Sequence, residues 1–204
     1  IRRITRQPIR RVIVSHYHAD HFYGLQAFKA LGAEIWAHRL AEGATRSVEA
    51  AERLAQRQEA LFHWVDERTQ LLEADHFVAG DMDFEMGGVQ FALRHVGPAH
   101  SSEDLAMLVK QDGVLYAGDL VFRGRVPFVG DADSRAWVAA LDKLLALDPK
   151  VLVPGHGEPS LTPRDDLVFT RDYLQYLRAS MGPAARNLVP FEEAYEKTDW
   201  SAYR

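Results

Sequence analysis

The chain has 204 residues, 47% of them hydrophobic and 26% charged, with a formal net charge of −5. That balance suits a globular fold with one substantial core, and it supplies no general basic field for a phosphate backbone. No apolar run approaches the roughly 20 residues needed to span a bilayer and no charged-then-apolar leader opens the chain, so neither a membrane nor a nucleic acid is expected as partner. Cysteine is absent, which excludes disulfides, thiolate ligands and a cysteine nucleophile; a metal site here must be built from nitrogen and oxygen donors.

In chain order, RRVIVS (10–15) is a short β-branched run and predicts a buried strand. HFYGLQAFKALG after it carries apolar residues at helical spacing and stops at Gly32. EIWA (34–37) predicts the next strand and completes a βαβ unit. From Arg39 to Leu61 the chain is rich in Ala, Glu, Arg and Leu and free of proline, which predicts one long amphipathic helix. A solvated helix is its plain reading; its functional reading is a flap over a site, with Phe62 and Trp64 as apolar wall. Alternation and the GG pair in DHFVAGDMDFEMGGVQFALRHV predict a hairpin, and LAMLVKQDGVLYAGD repeats the pattern with a QDG turn. SRAWVAALDKLLALDP reads as a helix ended by Pro149, KVLVPGHG as a strand and loop, and the remainder as helix. Strands alternating with helices, plus hairpins, make the class α/β with a mixed sheet.

Donor side chains recur where the apolar runs stop. VIVS runs into His16, His18, Asp20 and His21 within SHYHADHFYG; ALRHVGPA runs into His100, VLYAG into Asp119 and VLVPG into His156. So dense a cluster is costly to bury unpaired, and a metal ion is its natural partner. If these strands lie side by side, their ends converge on one edge, where open α/β sheets usually place their sites. His16 and His18, two apart on an extended exit, point to the same side, while Asp20 and His21 lie past the turn where a helix begins; the two pairs can face two different ions. Singly, each has a plainer reading, as a hydrogen-bonded residue at a strand end or, for Asp20, a helix N-cap. The ordered set favours a metal. His38, His63, His76 and His95 fall outside the motifs and read as surface or core-edge residues. Asp81 and Asp83 read as turn and hairpin residues, and Arg123 and Arg125 as solvent-exposed or as a clamp for an anionic substrate group.

HYHADH, GPAH, AGD and PGHG, in that order and each after a strand, closely resemble the metallo-β-lactamase superfamily of zinc hydrolases over most of the chain. The resemblance implies an αββα sandwich as one domain over residues 1–204, with C-terminal helices from about 163. It implies a first zinc on His16, His18 and His100 and a second on Asp20, His21 and His156, with Asp119 bridging. The donors suit this: imidazoles and carboxylates bind Zn2+, and two cations about 3.5–4 Å apart share a water and bring its pKa from about 15.7 toward neutrality. Asp20 then orients the water and carries a proton after attack. The function expected is binuclear zinc-dependent hydrolysis of a small carbonyl substrate, an ester, thioester, lactone or amide. The alternatives are an iron-dependent oxidoreductase on the same ligands, iron or manganese replacing zinc, and a non-catalytic metal-containing ligand binder.

Departures from sub-patterns narrow the substrate. Zinc β-lactamases with a similar third motif carry a cysteine where this chain has Asp119 and, three residues on, a lysine for the drug's carboxylate; Phe122 stands there, which counts against efficient β-lactam hydrolysis. Glyoxalase II resembles HYHADH and GDLVFRGR, but its thioester-binding pattern is not found in the closing helices. A persulfide dioxygenase of this fold uses one iron and fewer acidic ligands. SHYHADHFYGLQAF and GPAHSSEDLAML look most like zinc metallohydrolases found beside sulfur-oxidation or quinoprotein systems, which are often exported. Family members have several strands before the histidine cluster, whereas fifteen residues precede His16. Part of the first sheet, and any leader, is therefore expected to precede residue 1, which leaves periplasm and cytoplasm both open and gives the first strand a raw edge.

Overall fold

The computed structural model describes residues 1–130 and 132–203. Two sheets face each other. The first holds β1 (Arg11–Ile13), β2 (Glu34–His38) and β3 (His76–Val78), all parallel and in that spatial order. The second holds β4 (Met82–Met86), β5 (Val89–His95), β6 (Leu105–Val109) and β7 (Val114–Phe122) as an antiparallel run, with β8 (Val151–His156) parallel to β7. The turn between β4 and β5 is Gly87–Gly88, both at positive φ, as the alternating pattern with its GG pair predicts.

Helices cover the outer faces. On the first sheet lie α1 (Ala19–Phe22) and α2 (Leu25–Lys29), whose Phe22 and Leu25 pack with Val14, Ile35 and Ala37. On the second lie α4 (Ser134–Leu145) and α5 (Pro163–Arg186), which bury Trp137, Leu141, Leu144, Leu167 and Leu174 against Leu115, Leu120 and Leu152. A smaller seam of Val78, Leu93 and Leu105, flanked by Ile13, Trp36 and Met107, joins the sheets. The result is an αββα sandwich, with α3 (Val48–Ala60) and α6 (Phe191–Glu196) outside its layers. Where the chain leaves β1 it crosses to the second sheet: the Leu105 N–H donates to the Ser15 carbonyl at 2.9 Å. That bond ties the start of the histidine-bearing segment to the second sheet.

Two helical expectations need correction. The helix expected from His21 to Gly32 is broken at Tyr23–Gly24 into α1 and α2. The long helix expected over residues 39–61 shrinks to α3, after two short 3-10 turns at Arg39–Ala41 and Ala44–Arg46. The cause is local: Gly43 sits at φ 80°, which a helix cannot continue through, and Ser47 restarts it by accepting the Ala50 N–H at its hydroxyl.

Trp137 anchors the larger core. It is fully buried, and its indole N–H donates to the Leu120 carbonyl at 3.1 Å, so α4 is tied to β7 by both packing and a bond. Trp137→Ala is expected to lower stability by about 3–5 kcal/mol, and Trp137→Phe by clearly less. Urea unfolding of both variants checks this; equal losses would show that the bond, not the ring volume, matters.

Candidate metal centre

The exit from β1 carries His16 and His18, and the first turn of α1 carries Asp20 and His21. The loop between β5 and β6 carries His100, β7 carries Asp119 and the end of β8 carries His156. All seven gather at one edge of the sandwich. Two groups form, the donor atoms within each lying within 4.8 Å of one another: His16, His18, His100 and Asp119 in one, Asp20, His21 and His156 in the other. Asp119 stands between them. Its Oδ2 is 3.4 Å from His100 Nε2 and 3.5 Å from His156 Nε2, and its Oδ1 is 3.0 Å from His21 Nε2. Asp20 Oδ2 lies 3.0 Å from His156 Nε2, and His18 Nδ1 lies 2.9 Å from His100 Nε2.

The surroundings aim these atoms. His100 Nδ1 donates to the Phe128 carbonyl at 3.0 Å, which leaves Nε2 with its lone pair facing the group. His16 Nδ1 is 3.1 Å from the Ser15 hydroxyl. The Trp137 ring lies edge-on to His100 at 5.3 Å, and the Phe122 ring stacks on His156 at 5.2 Å. After His100, the Ser101 N–H and hydroxyl both donate to the Asp104 carboxylate at 2.7 Å, closing the loop. Burial pushes the Asp104 carboxyl up to about 7.

Two glycines make room. A Cβ at Gly155 would lie 1.9 Å from Asp119 Oδ1, and Gly118, at φ 54°, passes so close to the β1 exit that a Cβ would lie 2.9 Å from that of Ser15. Gly155 therefore admits the carboxylate and Gly118 admits the histidine-bearing loop. With this packing, His16 Nε2, His21 Nε2 and Asp119 Oδ1 are buried and make no hydrogen bond of good geometry, although His21 Nε2 and Asp119 Oδ1 lie 3.0 Å apart. Buried polar atoms are nearly always paired. Three orphaned donor atoms converging on one place fit a cation, and a His/Asp donor set suggests a divalent metal.

Electrostatics divide the groups. Burial holds His16, His18 and His100 below the ordinary imidazole range, His100 at about 4, so these rings are neutral as ligands must be. His21 goes the other way: burial opposes its charge, but contact with the Asp119 and Asp20 carboxylates raises it to about 9. The same contact with His21 holds the Asp20 carboxyl well below its usual range.

Beside the two groups opens a cavity of about 700 Å3, with His18, Asp20, Asp119 and His156 in its lining. Arg125 faces this cavity, but Arg123 does not: its guanidinium is held by Asp166 at 2.8 Å and by the carbonyls of Glu158 and Pro159. The helix α3 does form a wall, through Arg53 and Arg57, continued by Leu61 and Val65 just beyond it. Phe62 and Trp64, expected there, are instead 60% and 90% exposed. Sequence reading does not single out Arg53 and Arg57, although their four-residue spacing on a helix places them on one face. His38 is buried and stacks on His95 at 3.6 Å, His63 and His76 are exposed, and none of these joins either group. Asp81 accepts the His95 N–H, and Asp83 pairs with Arg94 and Lys110 across the sheet.

Two facing sheets between helical layers, with histidines and aspartates gathered at one edge, define an αββα fold of the metallo-β-lactamase type. The model of the metallo-beta-lactamase superfamily matches residues 1–156, and the chain belongs to that superfamily. A metallo-beta-lactamase family protein from Thermus thermophilus superposes with a TM-score of 0.67 at 22% identity, over 85% of this chain and 63% of that one. A metallo-beta-lactamase from Pontibacter korlensis does so with a TM-score of 0.62 at 24% identity, over 83% and 70%. In sequence the chain is 28% identical to the 2,4-dinitroanisole O-demethylase subunit alpha of Nocardioides sp. (strain JS1661), over 74% of this chain and 41% of the relative. It is 26% identical to the linear primary-alkylsulfatase of Pseudomonas sp. (strain ATCC 19151), over 86% and 40%. The chain thus spans about two fifths of the length of these curated relatives.

A cation entering the group of His21 must displace a proton, whereas one entering the group of His16 need not. Below about pH 9 affinity in the His21 group should fall as His21 protonates, while the His16 group should hold its ion down toward the His100 value of about 4. Zn2+ titration calorimetry near neutral pH, in buffers of different ionisation enthalpy, should show about one proton released by the weaker-binding ion. Zero release from both ions would count against this division. Gly155→Ala, which drives a methyl into Asp119, should lose metal in equilibrium dialysis.

Proposed function

We propose that the protein is a binuclear zinc-dependent hydrolase acting on a small carbonyl substrate: an ester, thioester, lactone or amide. The observation that carries this reading is the pair of donor groups sharing Asp119, with three orphaned buried atoms, beside an open cavity. His16, His18 and His100 would hold one ion, Asp20, His21 and His156 the other, and Asp119 both. Bound divalent ions acidify water toward neutrality and polarise an acyl oxygen, which supplies the nucleophile that a chain without cysteine otherwise lacks.

The remaining work falls to side chains. Asp20 is the more exposed of the two carboxylates, 57% against 5% for Asp119, and lines the cavity. It is therefore the group able to orient an incoming water and take its proton. Phe122, stacked on His156, presents an aromatic wall where a lysine would be needed to hold a β-lactam carboxylate. The buried rings of Trp137 and Phe122 fix the imidazoles in place, so that donors are preorganised rather than gathered by the ion.

The test is a panel of chromogenic esters, thioesters, lactones and amides, with a cephalosporin, an alkyl sulfate and 2,4-dinitroanisole beside them, assayed with and without chelator. Chelator-sensitive turnover of a carbonyl substrate, with close to two zinc per chain, is expected. One redox-active iron per chain would move the reading to an oxidoreductase, and no turnover of any class to a ligand binder. Asp20→Asn should lower kcat by about a hundredfold or more while raising KM far less. Near-normal turnover in that variant would remove Asp20 from the catalytic role.

A further inference from the structure

The cavity beside the donor groups gathers three arginines. Arg53 and Arg57 reach it from α3 and Arg125 from the segment after β7. Among the described residues, none of the three makes a side-chain hydrogen bond or an ion pair; Arg125 only rests over the Phe122 ring at 5.7 Å. Among the described residues several other arginines, Arg39 and Arg164 among them, also show no ion pair, so what sets these three apart is the cavity they share. Arg46, Arg68, Arg94, Arg123 and Arg171 are each paired with a carboxylate. Glu49, four residues before Arg53 on the same helix, has the spacing for an ion pair with it and does not form one. The acidic residues described in the cavity lining are Asp20 and Asp119, both members of the donor groups. Among the described residues, three guanidiniums without a carboxylate partner thus share one opening with the donor-group carboxylates Asp20 and Asp119.

The rest of the lining is of another kind. Leu61, Val65, Phe122 and Phe128 give the cavity an apolar part beside the arginines and the donor groups. Guanidinium pairs recognise planar oxyanions through charge-assisted, bidentate bonds, and an apolar wall recognises a hydrocarbon body. Arg53 and Arg57 lie one helical turn apart, a spacing at which both can reach one carboxylate or sulfonate.

We propose that the molecule bound in this cavity is an amphiphilic anion: an oxyanion held by Arg53, Arg57 and Arg125, joined to an apolar portion that lies along Leu61, Val65, Phe122 and Phe128. Resting on the hydrolase reading, this makes the substrate an anionic ester or related acyl compound rather than a neutral one. It also gives α3 its function as a selecting wall beside the site.

Two arms test the proposal. In the first, decanoate and the uncharged decanamide are titrated by calorimetry into metal-stripped protein, where the carboxylate has no ion to bind. Decanoate should bind about tenfold tighter or more, and Arg53→Gln/Arg57→Gln should bring the two near parity. Arg53→Lys/Arg57→Lys should restore part of the preference, which a merely structural role for the arginines would not predict. In the second arm, the p-nitrophenyl monoester of suberic acid is compared with p-nitrophenyl octanoate on the zinc-loaded protein. The ratio of their kcat/KM values should favour the anion and fall about tenfold in the Gln/Gln variant, chiefly through KM. Equal binding of decanoate and decanamide, or a preference that survives in the Gln/Gln variant, overturns the proposal and leaves the hydrolase reading intact. Arginine-dependent decanoate binding without chelator-sensitive turnover overturns the hydrolase reading instead, and the cavity remains a site for an amphiphilic anion.

Discussion

A buried carboxylate set between two clusters of imidazoles is the constraint on which the rest of this structure depends. Asp119 is 4% exposed, yet one of its oxygens makes no hydrogen bond of good geometry. Burying a carboxylate is costly unless other groups surround it, and here the imidazoles of His21, His100 and His156 stand 3.0–3.5 Å from its oxygens. The chain commits two glycines to it: Gly155 leaves the space that the carboxylate fills, and Gly118 lets β7 pass the loop from β1 that brings His16 and His18. Strand register, loop closure at Ser101–Asp104 and the crossing from Ser15 to Leu105 all serve to place that oxygen among nitrogens.

The asymmetry of the two groups follows from burial. His16 and His100 are nearly sealed, and desolvation keeps them neutral; His21 and His156 are half-open and share their space with the exposed Asp20. One side is therefore a rigid nitrogen-rich pocket and the other a more accessible, mixed one. Such a gradient makes the two sides of the donor set unequal in their access to water. The aromatic rings of Trp137 and Phe122 extend the same logic outward, because they lock imidazole orientation without competing for the lone pairs.

Fold and selectivity come from different parts of the chain. The sandwich, common to the metallo-beta-lactamase superfamily, fixes where the donors meet. The cavity beside them is lined in part by α3, the turn after it and the stretch from Phe122 to Gly130. Function on a shared scaffold resides in the sites grafted on it, and the two relatives similar in sequence to this chain, an O-demethylase subunit and an alkylsulfatase, carry different names.

By itself, the sequence determined the α/β class, the order of strands and most helices, and the seven donor-type residues after apolar runs, because each of these is written in local periodicity or in short motifs; Asp119, expected at a strand end, lies within β7. The break of the 39–61 segment was also local, signalled by Gly43 and Ser47, but helix-forming composition masked it. The division of the seven residues into two groups with Asp119 between them was implied by the family resemblance, whereas only the tertiary structure decided that Gly155 is required beside that carboxylate. It also decided which arginines matter: Arg123 is tied down by Asp166, a residue 43 positions away, while Arg53 and Arg57 are left facing the cavity. The physical reason is that pairing, burial and orientation are properties of neighbours in space, and a charged side chain reads the same in sequence whether its partner is a carboxylate, water or a ligand.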